Sequence, residues 1–347
     1  MKLRYEILTL TMMLFGGLAH GQAVAAGGSI AKPGQDALPQ INSLVVAADG
    51  SGQYKAVQEA INAAPTGSAD KPTVIHIKPG TYREQLYVQR EKRFLRFVGE
   101  DAARTVLTYD LYANVPGPDG KPIGTFRTPS TYIDADDFTA ENITFENAAG
   151  PKGQALAIRI DGDRIAFRHC RFLGWQDTIL DNRGRHYYQQ CDITGSVDFI
   201  FGGATAVYDR CNITEIRDVG GPQTAPSTPQ DQPYGFIFLH CHLIKGPGVK
   251  TGSSTLMRPW RDYGQSVFIN CVLDDHISAK GWSEWAGREK TCRAEEYGSK
   301  TPEGKAIDLT ARALWARQLT AEAAAQYTLS NIFKDWNAAQ ALAAKNQ

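Results

Sequence analysis

Cysteines recur through the middle of this chain at intervals of one β-strand plus a turn-rich connection. Cys170 and Cys191 stand 21 residues apart, and so do Gly174 and Gly195, and Asp177 and Asp198. A pattern of aromatic-x-x-small-x-aliphatic or aromatic returns six times. It reads Phe138, Glu141 and Ile143; Phe167, Cys170 and Phe172; Tyr188, Cys191 and Ile193; Tyr208, Cys211 and Ile213; Phe238, Cys241 and Leu243; Phe268, Cys271 and Leu273. The successive spacings are 29, 21, 20, 30 and 30 residues. A period of that length marks a solenoid, in which each repeat buries its apolar face only against its neighbours. The L-x-x-L-x-L signature of leucine-rich repeats is missing, and the intervals hold Gly, Asp and Asn rather than helix formers. The expected architecture is all-β, a parallel β-helix with the aromatic and cysteine positions inward.

The same spacing gives a chemical expectation. Equivalent positions on successive coils lie roughly 4.7–4.9 Å apart. Asp177 and Asp198 are then too close for both to ionise easily, so one becomes an acid and the other a base or nucleophile. Gln176 precedes Asp177, and Gln154 lies one coil earlier; either amide can donate to an oxyanion. Arg258, stiffened by Pro259, is placed to hold one aspartate ionised. One at a time, these residues have structural explanations. Together they supply a nucleophile, an acid/base, oxyanion donors and an orienting cation, a set suited to acyl transfer through a carboxylate. Trp175, Phe201 and Trp260 flank them, and Phe201 and Trp260 are the better placed to stack on sugar rings.

The chain has 347 residues, 42% hydrophobic and 21% charged, with zero formal net charge. Nothing in that balance points to nucleic acid. Lys2 and Arg4, the apolar run 7–19 and Ala23-Val24-Ala25 form a signal-peptide pattern. Residues 1–25 are therefore expected to be a signal peptide and 26–43 a flexible lead-in, with one catalytic domain over 44–347. Export to the periplasm or medium follows, with no membrane attachment after cleavage. Export permits disulfides among the six cysteines; stacked neighbours are candidates, Cys191–Cys211 first. A helix over 54–63 is expected to cap the open end of the stack, and one or two helices in 306–347 to cover its other exposed edge. Loops fall at 109–128, 218–233 and 246–254. There is no G-x-S-x-G elbow, no H-E-x-x-H and no acidic cluster of calcium-site type. His240 and His242 flank Cys241 and are expected to be structural or on the surface.

The ordered motifs VVAADGSGQYKAVQEAINAAP, IKPGTYRE, GQALAIR, GWQDTIL, GSVDFIFGGA, LMRPW and DDHISAKGWSEW resemble the pectin methylesterases, carbohydrate esterases that demethylate homogalacturonan. The resemblance runs from Val45 to about Trp336. It implies a right-handed parallel β-helix, no cofactor and no metal. It also implies Asp198 as nucleophile, Asp177 as acid/base, Gln154 and Gln176 as oxyanion hole, Arg258 orienting Asp198, and Phe201 and Trp260 against substrate. Some family members carry a disulfide at the Cys191–Cys211 position. Methyl-esterified pectin is the implied partner of a monomer. Met257 stands where the family's LGRPW has Gly, with a narrower cleft as the expected result. Trp175 replaces the usual Tyr, and Gly203 a common Asp. The competing functions are an esterase or thioesterase for another ester, a β-helix pectate lyase or polygalacturonase, and a galacturonan-binding protein.

Overall fold

The computed structural model describes residues 42–343; the expected signal peptide and most of the lead-in lie outside the described residues. The strands wind into three parallel sheets. Sheet 1 has eleven strands, from Ser43–Val46 to Arg317–Gln318; sheet 2 has eight, from Gly80–Arg83 to Val272–Leu273; sheet 3 has seven, from Leu86–Val88 to Thr255–Met257. One coil contributes one short strand to each sheet. Ile165–Arg168, Arg171–Leu173 and Ile179–Asp181 make one coil, and Arg185–Gln189, Asp192–Gly195 and Ile200–Gly202 make the next. This is the expected β-helix.

The register follows the sequence repeat from Phe167 onward. Phe167 pairs with Tyr188, Tyr188 with Tyr208, Tyr208 with Phe238 and Phe238 with Phe268. Their rings form an inward column with centroids 5.0, 4.5, 4.7 and 4.4 Å apart. Each stacked pair adds about 0.5–1.5 kcal/mol beyond its burial. The first repeat slips by two: Phe167 faces Ala140, not Phe138. Phe138 sits just before its strand and fills the core edge-on to Phe97 instead, 4.9 Å away.

The corner between sheets 1 and 2 is turned by one residue in the left-handed region, at Asn142, His169, Gln190, Arg210, His240 and Asn270. That conformation costs a non-glycine residue roughly 1–2 kcal/mol. Stacking offsets it, because each corner N–H donates to a carbonyl of the next coil, as His169 does to Gln189 at 3.1 Å and Asn270 to Tyr297 at 2.8 Å. Five of the six cysteines, Cys170, Cys191, Cys211, Cys241 and Cys271, follow these corners directly and are buried in the core.

The expected Cys191–Cys211 disulfide is corrected: all six cysteines are free thiols. The buried thiols instead donate to backbone carbonyls, as Cys211 does to Tyr188 at 3.5 Å and Cys241 to Tyr208 at 3.1 Å.

The capping helix spans Val57–Ala63 and buries Val57, Ala60 and Ile61 against the first coil. It starts three residues later than expected, because Tyr54 is bridged to Val46. Its open N–H groups are met by Glu84, whose carboxylate accepts from Val57 and Gln58 at 2.8 and 3.0 Å. At the other end, Ala321–Ala324, Leu329–Phe333 and Ala338–Ala343 are three short helices. Thr320 caps the first, accepting from Ala323 at 3.2 Å. These helices do not cover the stack's edge. Ile332, Phe333, Trp336 and Leu342 pack on the outer row Ala166, Tyr187, Val207, Ile237 and Val267 of sheet 1, an apolar flank that needs cover.

The aromatic column is closed instead by Trp282, fully buried, 5.9 Å from Phe268 and 6.5 Å from Trp315. Trp282→Ala is expected to cost about 3–5 kcal/mol, because the rigid coils cannot collapse into the space. Urea unfolding followed by tryptophan fluorescence checks this.

Candidate active site

Sheet 3 carries the site. Its strands begin at the corner after sheet 2, and the two aspartates occupy that corner on successive coils. Ile179 pairs with Ile200, so Asp177 lies beside Asp198 one coil on. Both are left-handed, with φ of 64° and 52°. Asp177 N–H donates to Val197 at 3.2 Å and Asp198 N–H to Pro222 at 2.8 Å. The stack therefore pays for two strained non-glycine corners, a form of strain that concentrates at functional sites.

Arg258 follows strand Thr255–Met257, two coils beyond Asp198. Its Nε donates to Asp198 Oδ1 at 2.8 Å and its Nη2 to Asp198 Oδ2, a two-point pair. The aspartates are thus unequal. Burial raises Asp198 above the ordinary carboxylate range, and the Arg258 hydrogen bonds and charge offset part of that rise. Burial raises Asp177 well above the ordinary carboxylate range, and the neighbouring Asp198 charge raises it further. Asp198 gives up its proton first, and Asp177 keeps its own.

Gln154 and Gln176 are half-buried beside this pair. Ala155 N–H donates to the Gln176 carbonyl at 3.1 Å, which ties their coils together. Neither side-chain amide has a partner among the described residues, which leaves both free to donate to a ligand. Gln176 and Trp175 line a groove with Gly153, Val197 and Arg217. On the other side, Phe201 meets Trp260 at 5.7 Å over a small apolar floor of Leu156, Leu180 and Ala225. All seven site residues named from the sequence thus fall in one region of sheet 3.

Met257 does not narrow the cleft as expected. Strand alternation turns it inward, where it is fully buried in the main core, while Arg258 points out. Two aromatic residues escaped the sequence reading. Phe126, in loop 109–128, is 48% exposed and 6.5 Å from Trp260. Trp285 has its ring 4.2 Å from the Arg258 guanidinium carbon. Trp285 was visible only as part of GWSEW, and no spacing linked it to Arg258.

One parallel β-helix thus brings together an arginine-braced carboxylate pair, two amides and the Phe201–Trp260 rings, a set suited to acyl transfer. Comparison with known proteins narrows this. The Pectinesterase family model matches residues 43–335. Pectinesterase 31 of Arabidopsis thaliana is 38% identical over 289 residues, covering 81% of this chain and 89% of that protein. The pectin methylesterase from carrot superposes with a TM-score of 0.75 at 31% identity, covering 83% of this chain and 92% of that one. PemA from Erwinia chrysanthemi gives 0.71 at 28% identity, covering 85% and 97%. The chain belongs to the pectinesterase family of carboxylic ester hydrolases, and its fold is the family's right-handed parallel β-helix.

Proposed function

We propose that this protein hydrolyses the methyl esters of galacturonate residues in pectin, with Asp198 as nucleophile and Asp177 as acid and base. The observation that carries the assignment is the two-point Arg258 pair on Asp198 alone. It separates two carboxylates that the repeat makes otherwise equivalent. Ionised Asp198 attacks the C6 carbonyl carbon, and the tetrahedral oxyanion accepts hydrogen bonds from Gln154 and Gln176. The C–O bond to methoxide breaks as Asp177 gives up its proton, and methanol leaves. An acyl anhydride now joins substrate and Asp198. Asp177, ionised, takes a proton from water; the hydroxide adds to the same carbon, and Asp198 departs as carboxylate. Ester and water become acid and methanol. Phe201 and Trp260 offer ring faces to the sugar.

A pectin methylesterase has been solved with a hexasaccharide bound, at 29% identity to this chain, which supports a polymer lying along such a groove. Action on a cell-wall polymer also fits an exported, monomeric enzyme.

Methanol release from methylated pectin tests the proposal. Gln176→Ala is expected to lower kcat on the order of 10²–10³-fold with little change in folding, as removal of one oxyanion donor does. If native protein releases no methanol, the substrate is wrong. If Gln176→Ala turns over normally, the oxyanion assignment is wrong.

A further inference from the structure

We propose that Trp285 is a positioning residue: its indole face holds the Arg258 guanidinium in the plane in which it pairs both oxygens of Asp198. This rests on the roles given above to Asp198 and Arg258, and gives Trp285, which ends the motif DDHISAKGWSEW, a role that the motif alone does not assign.

The geometry is built rather than incidental. Trp282 is fixed in the core, and its backbone is bridged to Met257, the residue before Arg258. Ser283 N–H then donates to the Met257 carbonyl at 2.9 Å, and its hydroxyl lies 2.8 Å from that of Thr255. The loop that carries Trp285 is therefore in register with the strand that delivers Arg258. Three residues after its core anchor, the Trp285 ring lies 4.2 Å from the guanidinium carbon. Arg288 also reaches this ring, at 5.6 Å, and is balanced by Asp262 at 3.6 Å. A chain of contacts thus runs from Asp262 through Arg288 and Trp285 to Arg258 and Asp198.

A guanidinium is polar at its rim and weakly hydrated on its faces, so an aromatic face is a good cover for it. The cover restricts rotation and excludes water, and both strengthen the attraction between Arg258 and Asp198. The charged groups facing Asp198 are Arg258 and Asp177; those facing Arg258 are the same two aspartates, with Arg288 beyond the indole. Among the described residues Trp285 is the one aromatic ring set against the Arg258 guanidinium. When it is removed, Asp198 holds its proton more tightly. A smaller fraction is ionised at a given low pH, and the acid limb of the rate profile moves to higher pH.

The test compares Trp285→Ala and Trp285→Phe in methanol release from methylated pectin, across pH. Trp285→Ala is expected to move the acid limb up by about half a unit to one unit and to lower kcat roughly three- to tenfold, with KM within about twofold. Trp285→Phe keeps a ring face and is expected to restore most of both. Melting temperature is expected to stay near wild type in each, because the side chain is only half-buried. A rise in KM with an unmoved acid limb would overturn the proposal, since Trp285 would then act on substrate directly. So would loss of stability in step with activity, or wild-type behaviour of the alanine variant. Failure of the underlying roles reads out separately, as retained turnover in Asp198→Ala.

Discussion

Asp198→Ala is expected to lose on the order of 10⁴–10⁶-fold in kcat, the largest effect of any single change in this protein. On the proposed mechanism this carboxylate supplies the attacking oxygen of the acyl-enzyme. Asp177 is one coil away, but burial and the Asp198 charge raise it well above the ordinary carboxylate range, and the Arg258 guanidinium pairs with Asp198 instead. The residual rate comes from the amides and from bound water alone. Binding of methylated pectin is expected to survive, because Phe201 and Trp260 are untouched. Methanol release and sedimentation with insoluble pectin measure the two properties separately. Turnover near wild type would move the nucleophile elsewhere.

Asp177→Asn is expected to lower kcat on methyl esters by about 10²–10⁴-fold, the usual range for a general acid and base. Two further signs identify the role. On the proposed roles, activity requires Asp177 protonated and Asp198 ionised, so it is expected to fall at low pH as Asp198 gains a proton and at high pH as Asp177 loses one. Burial and the Asp198 charge raise Asp177, so the alkaline limb belongs to it. Asparagine has no proton to lose, and that limb is expected to vanish. A nitrophenyl ester, whose leaving group departs without a proton, is expected to give a burst of one equivalent followed by slow turnover. If the burst is missing although methyl-ester activity is lost, Asp177 acts on the first step by some other means.

Much of the site was legible because a solenoid turns sequence spacing into distance. The 21 residues between Asp177 and Asp198 are one coil, and one coil is one strand spacing. Gln154 was placed by the same rule. The rule failed at the first repeat, where the coil is 27 residues and not the 29 that the motif spacing gives, so Ala140 and not Phe138 lies beside Phe167. It also over-reached at the cysteines. Equal offset puts Cys191 and Cys211 on adjacent coils, as expected, but both are free thiols that donate to backbone carbonyls. The C-terminal helices were foreseen by composition and Thr320. Their place on the flank of sheet 1 was not, because it depends on an apolar row assembled from five different coils.

The sequence by itself determined the stack, the pairing of the aspartates and the list of groups around them. Those follow from a period, and a period survives in one dimension. The difference between the aspartates is not periodic. It comes from Arg258, 60 residues beyond Asp198, and from Trp285, further on in a loop with no repeat. Only the folded coils show that the guanidinium reaches one carboxylate and not its twin, and that an indole covers it. Charge interactions depend on separation and burial in space, and neither can be read from chain order once the repeat is left behind.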